Sequence, residues 1–428
     1  MKFSNFNITK KVGDEMLIYN TLSGSILHLN SQYTHYYNEL LKSDIIDTDK
    51  QSLIMNLVKG KMLIEDDFDE IKSVIAQNNI LRFSNYHYNL TIAPTMQCNF
   101  ICPYCYEKGR EYSTMDEVTI INVKKFINEL RENSQSLSIT WYGGEPLLAF
   151  DIIRALSEEA INCFGRKYHS NIVTNGYYLT KEIVMQFDYL HIEHIQITLD
   201  GPPELHNKRR QLPTGEDTFF VILDNIKEAV NINSQINITI RVNADKTNIE
   251  YVDSILDYLD EYKLSDKVGL YLAPVDNNNK NCNQSLCFSE REFAVEQMKF
   301  IERNLKNGYN FAHLPNKNLN ICGAVALNSY VIDSKGQLFK CWEDVGICDE
   351  KVGEINKSVH YNNKNLTKWL SYNLLECEKC LKCAFMPICM GGCPNQYLKT
   401  KKNKCIPLKN NIDKMIDFIY LYSSRSKS

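Results

Sequence analysis

No apolar run in this chain of 428 residues is long enough to cross a membrane. The opening segment, Met1-Lys2-Phe3-Ser4-Asn5, runs into mixed polar sequence and lacks the apolar stretch of a secretory signal. Charge of neither sign dominates: the net value of −4 gives no electrostatic case for nucleic acid or an anionic membrane as partner. Internal repeats and long low-complexity tracts are also missing. The cytoplasm is the compartment these absences imply. There, cysteines seldom form disulfides, and clustered ones point to metal. Cysteine itself is absent from the first 97 residues, although the chain has 15.

Nine of those cysteines lie between Cys322 and Cys405, which argues for a metal-rich C-terminal module. The length exceeds one ordinary core and predicts two or three domains. Residues 1–88 read as a small α/β module. Two apolar stretches, Glu15–Asn20 and Ser25–Asn30, flank Thr21-Leu-Ser-Gly24 and predict a β-hairpin. Helical patterns follow through Tyr33–Leu40 and Phe68–Ile75. From residue 89 to about 310, strands alternate with helices. The predicted strands are Leu90–Pro94, Leu137–Tyr142, Ser170–Thr174, Ile195–Leu199, Ile236–Val242 and Val268–Ala273. The helices between them include Val118–Leu130, Ile152–Cys163, Phe219–Val230 and Val252–Tyr262. This alternation predicts parallel strands with crossover helices, and six units suit an open partial (β/α)6 barrel. Chemistry in such barrels sits at the carboxyl ends of the strands. A helix near Glu290–Leu305 is expected to complete the barrel, and Cys163 reads as a core residue. Residues 311–428 hold the cysteine-rich module and a terminal amphipathic helix.

The run Cys98-Asn-Phe-Ile-Cys102-Pro-Tyr-Cys105 directly follows the first barrel strand. Three thiolates can hold three corners of a four-iron cube and leave one iron open, unlike four-cysteine ferredoxin runs. On spacing alone a three-cysteine zinc site is the alternative, and the motifs at the later strand ends weigh against it. Gly143-Gly144-Glu145-Pro146 follows the second strand, Thr174-Asn175-Gly176 the third and Thr198-Leu-Asp200-Gly201 the fourth; Arg241 and Asn243 end the fifth. For each, an ordinary turn or strand cap is the plainer reading.

Together these motifs resemble the radical S-adenosylmethionine (SAM) enzymes. The resemblance implies a [4Fe–4S] cluster on Cys98, Cys102 and Cys105 that binds SAM through its open iron. It also implies that Gly143–Pro146 contact the ammonium of SAM. Asn175, Thr198, Asp200 and Asn243 would face SAM and substrate, Arg241 would pair with the SAM carboxylate, and Tyr104 would lie beside the adenine. Reductive cleavage would then yield a 5′-deoxyadenosyl radical that takes a hydrogen atom from the substrate.

The order Cys322, Cys341, Cys380, Cys383, Cys389, Cys393 and Cys405 resembles the SPASM module, an auxiliary-cluster extension of these enzymes. By that likeness Cys380, Cys383, Cys389 and Cys405 close one auxiliary iron–sulfur cluster, while Cys322, Cys341 and Cys393 hold part of a second. Gly336 is expected to turn a hairpin ahead of Cys341, and Gly391-Gly392 to bend the chain around a cluster. Residues Phe311–Ile321 lack the further cysteine of the fullest pattern, so the second cluster either keeps an open iron or takes Cys287, Cys348 or a non-cysteine ligand. N-terminal module, barrel and SPASM module together resemble peptide maturases of the thioether-forming sactipeptide and ranthipeptide type. That implies a ribosomally made, cysteine-bearing precursor peptide as substrate, a leader-binding role for residues 1–88, and a low-potential electron donor such as flavodoxin or ferredoxin. Rival readings are an anaerobic sulfatase maturase, a maturase that forms carbon–carbon bonds or epimerises, and a metal-stapled peptide scaffold. Sulfatase maturases carry an acidic residue where this chain has Trp342.

Overall fold

The computed structural model describes residues 1–42, 50–276, 283–306, 322–357 and 363–425. Cys282 and the segment Phe311–Ile321 lie outside the described residues. The chain divides into two compact units, one of Met1–Arg82, Ala294–Cys322 and Tyr372–Ser428, the other of Phe83–Phe293 and Gly323–Ser371.

The first unit contains β1 (Lys2–Phe3), β2 (Asn7–Val12), β3 (Glu15–Asn20), β4 (Ile26–Leu29) and β5 (Leu63–Ile64). β1 pairs with β5, and β2, β3 and β4 form an antiparallel meander with β3 in the middle. The expected hairpin is present. Asn20 closes its turn by accepting the amides of Leu22 and Ser23 at 3.1 and 2.9 Å on Oδ1. Three helices follow, Ser31–Leu40, Gln51–Lys59 and Glu70–Phe83. Alternate residues of a strand face opposite ways, and β3 uses both faces. Met16 and Ile18 join a core with Leu29, Tyr37, Leu53 and Leu57. Leu17 and Tyr19 join another with Phe385, Ile388, Ile412 and Ile416, against which Cys383 and Cys389 pack. The N-terminal meander and the cysteine-rich C-terminal segment thus share a core.

The second unit is built on β6 (His87–Thr95), β7 (Ser136–Gly143), β8 (Tyr168–Thr174), β9 (Ile192–Thr198), β10 (Asn237–Ala244) and β11 (Val268–Pro274). These six strands are parallel and lie in the order β11-β10-β9-β8-β7-β6, as the strand–helix alternation requires. Crossover helices include Glu117–Asn133, Phe150–Phe164, Phe219–Ile232 and Ser254–Glu261. The first starts at Asp116, whose carboxylate accepts the Thr119 amide at 2.8 Å. The sheet then continues past the predicted six strands, through β12 (Ser329–Ile332), β13 (Gln337–Phe339) and β14 (Gly353–Glu354). β12 adds parallel to β6, and the Gly336 turn returns the chain antiparallel as β13. Two expectations change. The helix expected to complete the barrel forms over Glu290–Lys306, but from Ala294 onward it belongs to the first unit. Cys163 is only partly buried, and its Sγ contacts Asn128 Oδ1 at 3.2 Å instead of filling a core.

Ile197 is fully buried on β9, between β8 and β10. Ile197→Ala is expected to cost about 2–5 kcal/mol, read as a lowered thermal midpoint.

Candidate cofactor site

The loop after β6 carries the three leading cysteines. It is pinned at its start and at its middle: the Met96 amide donates to the Ser113 carbonyl at 2.7 Å and the Ile101 amide to the Gln211 carbonyl at 3.0 Å. Cys98 Sγ accepts the Phe100 amide at 3.4 Å. Burial pushes the Cys98 thiol up to about 12 and Cys105 to about 11, and raises Cys102 as well. The Arg210 guanidinium opposes that shift at all three. A buried cation beside three sulfurs suits thiolates bound to a metal cluster.

These cysteines line a cavity of about 550 Å³, a volume typical of small-molecule sites. Tyr104, Gly143, Gly144, Asn175, Thr198, Arg241 and Asn243 line it too. Strand ends from Met96, after β6, to Pro274, at the end of β11, therefore converge where the alternation placed them. Gly144 permits the closest approach, because a Cβ there would stand 2.2 Å from the Gln97 carbonyl oxygen, one residue from Cys98. Glu145, Pro146 and Asp200 are buried behind the lining. The Glu145 carboxylate accepts from Thr174 Oγ1 at 2.6 Å and from the amides of Asn175 and Leu147 at 2.7 and 3.0 Å, joining the ends of β7 and β8.

Asp200 plays the same part for β9 and β10. Its carboxylate accepts the Asn243 amide at 3.0 Å, pairs with Arg209 Nε at 3.4 Å and takes the Tyr104 hydroxyl. Arg209 reaches on to Asp245 at 2.7 Å and to the Asn243 carbonyl at 2.9 Å. Its guanidinium lies 4.9 Å over the Tyr104 ring, while Arg210 Nη1 donates to the Tyr104 hydroxyl at 2.9 Å. Tyr104 is held by the ring face and by the hydroxyl at once. Arg241 is occupied within its own strand end, its Nε donating to Asn243 Oδ1 at 2.8 Å. Arg210 is the buried cation of the cavity, and sequence reasoning misses it. Its one signal is the tandem Arg209-Arg210 at the end of a short helix, Pro203–Arg209.

A second stretch of lining holds Tyr106, Glu107, Tyr142, Trp342 and Glu343. The hydroxyls of Tyr106 and Tyr142 bond each other, and Trp342 stacks on Tyr142 with ring centroids 5.2 Å apart. Burial raises the Glu107 carboxyl to about 7, against the pull of Arg110 and Tyr106.

Of the C-terminal cysteines, Cys341 lies in the unit of the parallel sheet, whereas Cys322 and Cys393 lie in the other. Cys380, Cys383, Cys389 and Cys405 share that other unit. Lys409 Nζ stands 3.9 Å from Cys405 Sγ, and the charges of Cys383, Cys405 and Cys380 raise its pKa against the effect of burial. Cys377 Sγ is 3.2 Å from Cys380 Sγ. A Cβ on Gly392, whose φ is +82°, would lie 2.0 Å from the Lys404 carbonyl oxygen, so the Gly391-Gly392 bend brings the segment before Cys405 against Cys389 and Cys393. Among the described residues no three His, Cys, Asp or Glu side chains converge as on a single metal ion. A four-iron cube takes each thiolate on a different iron, and one pinned loop of three soft donors beside a buried arginine fits such a group.

Asp200→Ala is expected to strand Arg209 beside Asp245 alone and to release Tyr104. The expected loss is about 3–5 kcal/mol, measured as a lower denaturant midpoint, with Asp200→Asn costing less.

The sequence profile of the Radical SAM superfamily matches residues 92–278, which span β6 to β11 and the cysteine loop. The Fe-coproporphyrin III synthase of Methanosarcina barkeri is 25% identical over 50% of this chain and 50% of its own, so the chain spans about half the length of that relative. The cysteine-type anaerobic sulfatase-maturating enzyme of Clostridium novyi is 26% identical over 69% of this chain and 84% of its own. The crystal structure of Streptococcus suis SuiB bound to the precursor peptide SuiA has the same fold, with a TM-score of 0.55 and 16% identity over 95% of this chain and 97% of that one. With its cysteine loop, its parallel strands and the polar groups at their ends all inside the matched segment, residues 92–278 form a Radical SAM domain.

Proposed function

We propose that this enzyme modifies a ribosomally made, cysteine-bearing precursor peptide in the cytoplasm and forms thioether cross-links in it. The observation that carries the reading is the cavity. The cysteine trio and the ends of several parallel strands meet in one space, and half-exposed Ile101, Tyr112 and Trp342 add apolar surface to its lining. Such a lining suits an uncharged stretch of chain laid beside the reacting centre. Likeness to SuiB, described with its precursor peptide, and to a sulfatase-maturating enzyme supports a peptide or protein substrate.

When bound on Cys98, Cys102 and Cys105, the cluster with SAM supplies a 5′-deoxyadenosyl radical, fed by a low-potential donor such as flavodoxin or ferredoxin. The chain's own residues do the rest. Arg210 balances negative charge beside the sulfurs, and Tyr104, fixed by Asp200 and both arginines, gives the nucleotide a rigid face. Gly143 and Gly144 bring main-chain oxygens to the cavity wall. A thioether replaces one C–H and one S–H bond by one C–S bond: a hydrogen atom leaves the carbon, a proton leaves the thiol, and one electron goes to an acceptor. In this reading the acceptor is an auxiliary iron–sulfur cluster, one on Cys380, Cys383, Cys389 and Cys405, the other on Cys322, Cys341 and Cys393. The sulfatase-maturase alternative is weakened by Trp342, because an indole on the cavity wall cannot take the proton that an acid there would.

Residues 1–88 are proposed to hold the leader. β4 is an edge strand without lysine or proline to guard it, whereas the other edge, β2, carries Lys10 and Lys11. An extended leader would add beside β4. Deleting the module is a poor test, because Leu17 and Tyr19 are part of the core that packs Cys383 and Cys389.

Anaerobic co-expression with a small cysteine-bearing peptide encoded beside the gene should yield a peptide lighter by two hydrogens per linkage, read by mass spectrometry. The triple substitution of Cys98, Cys102 and Cys105 by alanine should abolish both that change and deoxyadenosine release. An unchanged peptide mass with the intact enzyme sinks the substrate assignment. Ile26→Lys on β4 should weaken peptide binding about fivefold or more by fluorescence anisotropy; an unaltered affinity would remove the leader site from this edge.

A further inference from the structure

Cys377 has no place in the cysteine order that resembles the SPASM module, yet it does not stand alone. Its Sγ lies 3.2 Å from Cys380 Sγ and 3.3 Å from Asn403 Oδ1, so its one S–H has two acceptors within reach. The Cys380 amide donates to the Cys377 carbonyl at 2.9 Å, and this turn sets the two thiols side by side. Both are only partly buried. Asn403 is anchored in turn, its Nδ2 donating to the Gly391 carbonyl at 2.9 Å.

The other thiols of the segment lie around this pair. The charges of Cys389 and Cys383 reach Cys380, and those of Cys405 and Cys383 reach Cys389. Lys409 Nζ stands 3.9 Å from Cys405 Sγ and hydrogen-bonds Cys383 as well. Burial pushes the Tyr372 hydroxyl up, and the charges of Cys380, Cys389 and Cys377 push it further. Cys377, Cys380, Cys383, Cys389 and Cys405 therefore share one neighbourhood, with a lysine to offset their charge. Soft thiolates so placed fit a four-iron cube, but they outnumber its corners.

A cube holds its thiolates apart, each on a different iron and each pointing outward. Two sulfurs in hydrogen-bonding contact cannot fill two of those corners. Cys377 and Cys380 are then rivals for one corner, and their exposure does not separate them.

We propose that Cys377 and Cys380 are interchangeable ligands to a single iron of the auxiliary cluster whose other corners are Cys383, Cys389 and Cys405. This rests on the auxiliary-cluster reading above and adds a thiol to its ligand set. An exchange breaks one iron–sulfur bond and forms another, while the proton of the arriving thiol passes to the departing thiolate. No electron moves, and the charge on the cluster is unchanged. Asn403 gives the Cys377 thiol an acceptor whenever Cys380 is the ligand.

The test is iron and acid-labile sulfide analysis of the full chain after anaerobic reconstitution. Cys98, Cys102 and Cys105 are replaced by alanine throughout, so that only auxiliary clusters contribute. Cys383→Ala together with Cys389→Ala removes two uncontested corners and calibrates the loss of one cluster, roughly four irons. Cys377→Ala and Cys380→Ala, made singly, should each keep the iron and sulfide of the parent. Made together, they should lose as much as the calibrating pair. Either single variant losing that much overturns the exchange, and so does a double variant that loses nothing. Anaerobic alkylation of the folded wild-type enzyme needs no substitution at the pair. Iodoacetamide should label Cys377 or Cys380 to a combined extent of about one per chain, read by peptide mapping. Labelling of both thiols in the same chain, or of neither, also overturns the exchange. If the calibrating pair retains all its iron, the auxiliary-cluster reading falls and the exchange falls with it; the other adverse outcomes remove the exchange alone.

Discussion

Asp200 is the constraint on which the cysteine-loop side of the cavity depends. It is wholly buried, so its carboxylate must be paired, and every partner it accepts ties a different segment to the end of β9. Through the Asn243 amide it fixes the end of β10, and through Arg209 it reaches Asp245. Through the Tyr104 hydroxyl it holds the cysteine loop itself. Met96 and Phe100 anchor the loop by their buried side chains, but neither fixes the Tyr104 ring. Rigidity comes instead from a charged network one layer beneath. The cost of burying two arginines and two carboxylates together is returned as position: the aromatic ring beside Cys105 has only one place to stand.

Glu145 repeats that logic on the adjoining strands. It is buried and takes three donors, two of them main-chain amides at the starts of loops. A carboxylate that accepts backbone amides from two strand ends acts as a clasp, and it leaves Gly143 and Gly144 free to face the cavity with main chain alone. The two acids thus hold four successive strand ends, β7 with β8 and β9 with β10. Loops there can vary in sequence so long as the clasps remain, which is how a shared sheet can serve different substrates.

How much of this is legible from sequence depends on the range of each interaction. The cysteine trio is legible because its spacing is local, and β6 to β11 are legible because each combines an apolar run with a polar end. Of β12 to β14 only the hairpin turned at Gly336 is legible; the strands have four, three and two residues and no periodicity to detect, so their addition to the sheet is not. Arg210 escapes notice because two adjacent arginines after a helix read as a solvated face. Only the fold brings the Tyr104 hydroxyl, 106 residues away in sequence, to its guanidinium. Glu107 is invisible for a related reason: beside Tyr106 and Lys108 it looks like ordinary polar loop, and nothing in the sequence announces that it is buried. The sequence motif marks Asp200 as a group facing the ligand; the structure turns it inward as support.

The same distinction between facing groups and supporting groups bears on what separates one peptide-modifying chemistry from another on this sheet. Removing a hydrogen atom from carbon asks little of the wall beyond placement, so the residues around the trio need only hold a nucleotide and a carbon close together. The later steps differ by where the proton and the electron go, and those destinations lie on the side of the cavity formed by Tyr142 and the turn after β13. There the chain has Trp342, with its indole stacked on Tyr142, beside the acid Glu343, and a second acid, Glu107, stands near Arg110. Burial outweighs the pull of Arg110 and raises the Glu107 carboxyl to about 7, so this acid holds a proton more readily than an ordinary carboxylate. An indole at the cavity wall excludes water from the radical carbon while offering it nothing to abstract from so readily as a sulfur brought alongside. On the proposed peptide reading, the choice of bond is made by the placement of the peptide sulfur, and the aromatic wall serves to keep other partners out.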